Sequence, residues 1–266
     1  MFKMRIPFKR QIRYIKIYLY LSKSAKEEIL FKNEKPIFDI VSIAFNNEIV
    51  IKYQISLLKK YLTDNFIYTV IDNSSNSDKQ QKIREVCINH KVNYIKPPKN
   101  PFQDELGSGS HGTALNWAFK HFIKPRHPKY FGFIDHDIFP ISKTSILSNL
   151  SNSEIYGKVD TRGNKWYLWP GFCFFSFQFL LGKKIDFMPE KGVDTGGKIW
   201  NSIYYKFDKN LIPNLSVKCE QLQPGENMAT DCYETMGDWI HTINASECIS
   251  APHKNELVTN LLNKYL

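Results

Sequence analysis

Between Phe38 and Asp137 the chain alternates four times between short apolar runs and segments of helical periodicity, and no other feature narrows its fold as much. Phe38-Asp-Ile-Val-Ser-Ile-Ala44 reads as a buried strand that ends at the polar turn Asn46-Asn47. Ile51, Ile55, Leu58 and Leu62 then recur at helical spacing, which predicts a helix over 49–61. Phe66-Ile-Tyr-Thr-Val-Ile71 is a second strand, rich in β-branched and aromatic residues, and Asp72-Asn-Ser-Ser75 stops it and can cap a helix over 79–89. A short strand over 92–95, a loop over 97–109 and a helix over 112–122 lead to a fourth strand at Phe131. Strands and helices in this order build an α/β fold, a mostly parallel central sheet with helices on both faces. Ligands of such sheets sit beyond the carboxyl ends of the strands, where Asn46, Asp72 and Asp135 fall.

The fourth strand carries the chemistry. Phe131-Gly-Phe-Ile-Asp-His-Asp-Ile-Phe-Pro140 is an apolar run that ends in two carboxylates one residue apart. If extended geometry persists through the pair, Asp135 and Asp137 share one side and His136 takes the other. Two carboxylates so close repel each other and call for a counter-cation, and oxygen ligands suit Mg²⁺ or Mn²⁺. An ion held there can clamp the phosphates of a nucleotide. The competing reading is a strand end whose acids only face water.

At 266 residues, 42% hydrophobic and 23% charged, the chain is long and apolar enough to bury a large core. Its net charge of +10 is partly local: eight Lys or Arg and no acid lie between Met1 and Lys26. Phe8, Ile12, Ile15 and Leu19 in the same segment are at helical spacing, so 1–35 reads as a basic amphipathic segment able to lie on an anionic membrane surface. It is too charged to span a bilayer, and the apolar run over 17–21 is too short for a secretory signal. Five scattered cysteines, Cys87, Cys173, Cys219, Cys232 and Cys248, form no Cys-x-x-Cys pair, which argues against thiolate zinc and a disulfide framework. A reducing cytoplasm, with peripheral attachment at the inner face of a membrane, is the expected compartment.

The half after Pro140 is less regular. It is expected to extend the sheet and build a substrate cleft, with an aromatic turn at Trp169-Pro-Gly-Phe172, a Gly-rich turn at Asp194-Thr-Gly-Gly197, a helix over 198–205 and a terminal helix over 256–266.

This arrangement resembles the GT-A glycosyltransferases, most of all the large family-two group, with a Rossmann-like sheet. The resemblance spans about 38–241 and rests on Ile-Ala-Phe-Asn-Asn47, Ile-Asp-Asn-Ser-Ser75, Gly-Ser-His-Gly-Thr-Ala-Leu-Asn-Trp-Ala118 and Ile-Asp-His-Asp137, in that order. It implies a glycosyltransferase domain over 36–250, with a nucleotide-sugar half over 36–140 and an acceptor half over 141–250, followed by a C-terminal helix over 251–266. It implies that Asp72 contacts the base or ribose, that Asn46, His111 and Asn116 line the donor pocket, and that Asp135 and Asp137 hold Mn²⁺ or Mg²⁺ on the donor diphosphate. A histidine near the end of the domain completes the metal shell in some members, which points to His241. The family's base is commonly the last acid of a Glu-Asp pair. That pair is missing here, and Asp194 is the nearest equivalent, with Glu190 second.

The implied reaction moves a sugar, with inversion, from a nucleotide diphosphate sugar to a glycan or lipid-linked acceptor in surface polysaccharide or glycolipid synthesis. Uridine diphosphate sugars are favoured only by family habit. A haloacid dehalogenase-like phosphatase would want Thr where Phe139 stands and its motif on the first strand. A non-enzymatic membrane- or nucleic-acid-binding protein would leave the strand-end acids without a role, and no nucleic acid partner is expected.

Overall fold

The computed structural model describes residues 8–31, 37–103, 107–213, 215–222, 232–243 and 252–266. Lys3, Arg5, Cys248 and the borders of the sequence-drawn ranges near 35 and 250 lie outside the described residues. The order of elements is helix α1 (Phe8–Leu21), β1 (Glu27–Ile29), β2 (Phe38–Ala44), α2 (Glu48–Tyr61), β3 (Ile67–Asp72), α3 (Ser77–Asn89), β4 (Asn93–Lys96) and α4 (Ser108–Ala118). A π-turn (Phe119–Ile123) and α5 (Lys124–Arg126) lead to β5 (Tyr130–Asp135), β6 (Ile138–Pro140), α6 (Ile146–Leu150), β7 (Ile155–Arg162), β8 (Lys165–Ser176) and α7 (Phe177–Leu180). Strands β9 (Val217–Gln221), β10 (Cys232–Met236) and β11 (Trp239–His241) and helix α8 (Pro252–Asn263) close the chain.

Strand β2 is buried along its whole length, as befits a strand covered on both faces. Its parallel neighbours are β3 and β5, and β4 follows β3, so the centre of the sheet runs β4-β3-β2-β5. Antiparallel strands finish both edges, β1 on β4 and then β8 and β7 on β5, giving seven strands. Alternate side chains of β2 feed opposite cores. Val41 and Ile43 pack with α4 residues such as Leu115 and Trp117, while Phe38, Ile40 and Ala44 pack with Ile51 and Ile55 of α2 and Ile83 of α3. The outer side of α2 (Val50, Leu57) meets Val258, Leu261 and Leu262 of α8 over Phe139 and Ile240 of a second sheet, ordered β6-β11-β10-β9. Asp39 is fully buried in the sheet, and the Arg126 guanidinium pairs with it through two bonds of 3.0 and 3.3 Å. Burial pushes the Asp39 carboxyl above its usual range, and Arg126 opposes that rise.

The first half follows the expected alternation to within a few residues. Three expectations change. Extended geometry stops at Asp135, and His136-Asp137 is a turn between β5 and β6, so period two does not run through the acid pair. Trp169-Pro-Gly-Phe172 lies inside the long strand β8 rather than in a turn. The pairing with β7 is irregular between Gly157 and Val159, so Pro170 stands where no ladder N–H is required. The helix expected over 198–205 is two short 3₁₀ turns, Gly197–Ile199 and Tyr204–Lys206.

A candidate functional site at the strand ends

The sheet reverses direction of growth between β2 and β5, since β3 and β4 lie on one side of β2 and β5 on the other. Connections leaving adjacent strands to opposite sides open a crevice at their carboxyl ends. A cleft of about 360 Å³ occupies that crevice, between Ile43 and Phe45 at the end of β2 and Asp135, His136 and Asp137 at the end of β5. The first turn of α4 (Gly107, Ser108, Ser110, His111), Asn73, Gln103, Trp169, Asp194, Thr195 and His241 complete its walls.

The acid turn is fixed from several directions. Gln54, fully buried in α2, donates from Nε2 to the carbonyls of Asp135 (2.7 Å) and Ile138 (2.8 Å), and the Tyr68 hydroxyl donates to its Oε1. The Thr242 N–H donates to the Asp137 carbonyl at 2.9 Å. His136 accepts the Phe45 N–H on Nδ1 at 3.2 Å, which leaves its ring proton on Nε2, and burial pulls its pKa down despite the nearby acids.

Two further histidines face the carboxylates. His111 Nε2 is 3.2 Å from Asp135 Oδ1, and His241 Nε2 is 3.7 Å from Asp137 Oδ1. β11 pairs with β6 so that His241 stands opposite Ile138, next to the acid turn. Its Nδ1 meets Glu234 Oε2 at 3.0 Å, and Glu234 is also paired with Lys158 at 2.6 Å. The His241 bond, against burial and with help from Lys158, holds the Glu234 carboxyl down at about 2. For His241 burial is the largest influence and disfavours charge, but Asp137 and Glu234 together raise its pKa. Lys158 and His241 both approach the Trp169 ring, at 4.8 and 4.9 Å from its centroid.

These donors fit a divalent cation in kind. Two ligands of one Mg²⁺-sized ion stand about 3 Å apart when adjacent, close to the His111–Asp135 and His241–Asp137 separations. A carboxylate on the far nitrogen of a ligand histidine is the usual outer support, and Glu234 occupies that position on His241. Among the described residues no three Asp, Glu, His or Cys side chains are gathered closely enough to hold an ion unaided. A cation here would therefore share its shell with phosphate oxygens and water, as Mg²⁺ commonly does.

The other expected site residues fall in different places. Asp194 is exposed in the cleft wall, its Oδ1 accepting the Thr195 N–H at 2.6 Å. Glu190 does not line the cleft. It sits on the turn that bridges to Val193, and its carboxylate lies 3.7 Å from Lys165. Asp72 is buried beneath the wall, accepting the Ser74 N–H and the Tyr94 hydroxyl, and burial raises its pKa against those bonds. The next residue, Asn73, is the one that reaches the cleft. Asn46, at φ 51°, accepts the N–H groups of Ser75 and Asn76 and so ties the β2–α2 loop to the β3–α3 loop. Asn116 bonds Asp186 and the Phe187 N–H on the outer side of α4, away from the cleft lining.

Gln54, Asn73, Glu234 and Lys158 are absent from the sequence reading. Gln54 did leave a signal, a polar residue three positions after Ile51 on the apolar face of α2. Glu234 left none, because its place beside His241 depends on the β10–β11 register.

No protein-family model matches the chain, and no curated protein matches it. Solved structures with partly similar architecture include S. aureus TarS, with 18% identity over 56% of this chain and 30% of that one, at a TM-score of 0.37. Another is the mannosyltransferase PcManGT from Pyrobaculum calidifontis in complex with GDP-Man and Mn²⁺ (12% identity, 64% and 52% coverage, TM-score 0.39). A third is the mannosyltransferase Ktr4p from S. cerevisiae (11% identity, 68% and 69% coverage, TM-score 0.38). This chain thus spans about half or less of the length of the first two. Likenesses of this degree assign no activity, and the site is read below on its own geometry.

Proposed function

We propose that the protein is a GT-A-type glycosyltransferase that moves a sugar from a nucleotide diphosphate sugar to a hydroxyl of a glycan or lipid-linked acceptor. One observation carries the reading: Asp135, Asp137, His111, His241 and Asp194 converge on a single cleft at the reversal point of a parallel sheet. Asp135 and Asp137, with His241 beside them, would hold Mn²⁺ or Mg²⁺. When bound, the ion supplies positive charge that offsets the charge left on the departing diphosphate.

The chain's own groups do the rest. The Asn73–Gln103 wall takes the nucleoside end, in place of the buried Asp72. Asp194, oriented by Thr195, accepts the proton of the acceptor hydroxyl. The acceptor oxygen bonds to the anomeric carbon as the carbon–oxygen bond to the diphosphate breaks, and the electron pair leaves with the phosphate. A single displacement of this kind inverts the anomeric centre. Trp169, which lines the cleft beside Lys158 and His241, offers a sugar apolar surface there.

A donor-hydrolysis screen with UDP-sugars tests the reading. Turnover that requires Mn²⁺ or Mg²⁺, and that is lost in Asp135→Asn and Asp137→Asn proteins of unchanged melting temperature, is expected. Turnover undiminished by EDTA would reject the assignment of the acid pair.

A further inference from the structure

Helix α1 presents apolar side chains on two sides. One side packs inward: Tyr20 is buried with α4 residues in the core, and the Trp117 indole N–H donates to the Lys23 carbonyl at 2.9 Å just past the helix end. Among the described residues, no element covers the other side. Ile12, Ile15 and Leu19, spaced for one helix face, are 38%, 57% and 51% exposed, and Tyr18 beside them is 73% exposed. A surface helix ordinarily turns its polar residues to solvent. Here the outward stripe is apolar, and helical spacing puts Lys16 along its edge. The surrounding sequence offers eight Lys or Arg and no acid over 1–26.

We propose that this outward face of α1 docks on an anionic lipid bilayer, with Ile12, Ile15, Tyr18 and Leu19 entering the headgroup–acyl boundary and Lys16 meeting lipid phosphates. Charge selects this occupant. A second copy of the chain would bring the same basic segment, which holds no acid over 1–26, against itself, whereas anionic headgroups neutralise it. Among the described residues no helix is long and apolar enough to cross a membrane, so the attachment lies in the plane of the interface. The docked helix also fixes where the cleft sits. The Arg13 guanidinium lies 4.8 Å from the Phe102 ring centroid and beside Gly109, within the α4 turn that lines the cleft. The cleft rim is therefore carried to the lipid surface, where a lipid-linked acceptor presents its hydroxyl. That last consequence rests on the glycosyltransferase reading, and the docking itself does not.

The test is sedimentation of the full chain with vesicles of phosphatidylcholine, with and without phosphatidylglycerol, comparing wild type, Ile15→Glu/Leu19→Glu and Lys16→Glu. Wild type should pellet with phosphatidylglycerol vesicles, weakly with phosphatidylcholine alone, and less as ionic strength rises from about 0.1 to about 0.5 M. The double variant should lose at least about tenfold in partition coefficient, and Lys16→Glu several-fold, at unchanged melting temperature. Absence of wild-type pelleting, equal pelleting of the double variant, or a wild-type dimer that those substitutions split would each overturn the proposal. A UDP and Mn²⁺ thermal shift measured on the same proteins should be identical in wild type and double variant. If neither protein shifts while the vesicle result stands, the activity reading fails and the docking does not.

Discussion

Gly171→Ala adds one methyl group at the point where β8 passes the acid turn, and it separates the site's chemistry from the fold's stability. A Cβ at Gly171 would stand 2.6 Å from Asp135 Oδ2 and 2.3 Å from two carbons of the Trp169 ring. Ordinary contact begins near 3.4 Å, so the carboxylate must withdraw by about 0.8 Å and the indole by about 1.1 Å. Both are side-chain ends beside an open cleft, so the cost in stability should be modest, about 1–3 kcal/mol for overpacking. The cost in rate should be larger, because a displacement near 1 Å of a positioning group is worth about 10²-fold. Gly132→Ala is the control. Its Cβ would meet the Phe174 ring at 2.0 Å and the Cys173 carbonyl at 2.8 Å, where the backbone cannot retreat, so it should lose mainly stability. Urea melts and donor turnover on the two variants decide the matter. A Gly171→Ala protein with wild-type turnover would show that Asp135 is not held where the reaction needs it.

Gln54→Met keeps the volume of the side chain but deprives the Asp135 and Ile138 carbonyls and the Tyr68 hydroxyl of a partner, and should cost about 2–5 kcal/mol in a urea melt and lower turnover as well. Arg126→Met leaves Asp39 buried and unpaired, worth about 3–5 kcal/mol at neutral pH. Burial already raises Asp39, and losing Arg126 raises it further, so the folded variant retains a proton that the unfolded chain releases above about pH 3.9. The stability gap between the two proteins should therefore widen as pH rises from about 4 to 7, and a constant gap would refute the pairing account. Asp194→Asn should lower kcat with little change in donor affinity, whereas Glu190→Gln, off the cleft, should leave both unchanged. The reverse pattern would move the base to Glu190.

The parallel centre of the sheet could be read from the chain because strands buried on both faces are mainly apolar runs, and β2, β3 and β5 are so apart from Asp39, Ser42, Thr69 and their terminal acids. The antiparallel edges were less legible. β8 interrupts its own pattern with Pro170 and Gly171, and its pairing with β5 and β7 is a long-range choice that local spacing does not encode. The same division holds in the site. Asp135, Asp137, His111, His241 and Asp194 all line one cleft: Asp135 ends β5, Asp137 lies in the turn to β6, and His111 is in the first turn of α4. Asp72 and Asn73 show the limit: Asp72 ends β3 and Asn73 follows it, and only the local hydrogen bonding decides that the acid turns inward and the amide reaches the cleft. Asn46 was legible as a strand-end residue, but its positive φ and its bonds to the neighbouring loop give it a structural place in the loop wall.

The central claim is that the acid turn binds a nucleoside diphosphate through a divalent cation, and calorimetric titration of UDP into the protein tests it most directly. With Mn²⁺ present, binding is predicted for wild type and for Asp194→Asn, and is predicted to disappear with EDTA or in Asp137→Asn. UDP binding of equal strength with and without the metal, and in Asp137→Asn as in wild type, would contradict the account.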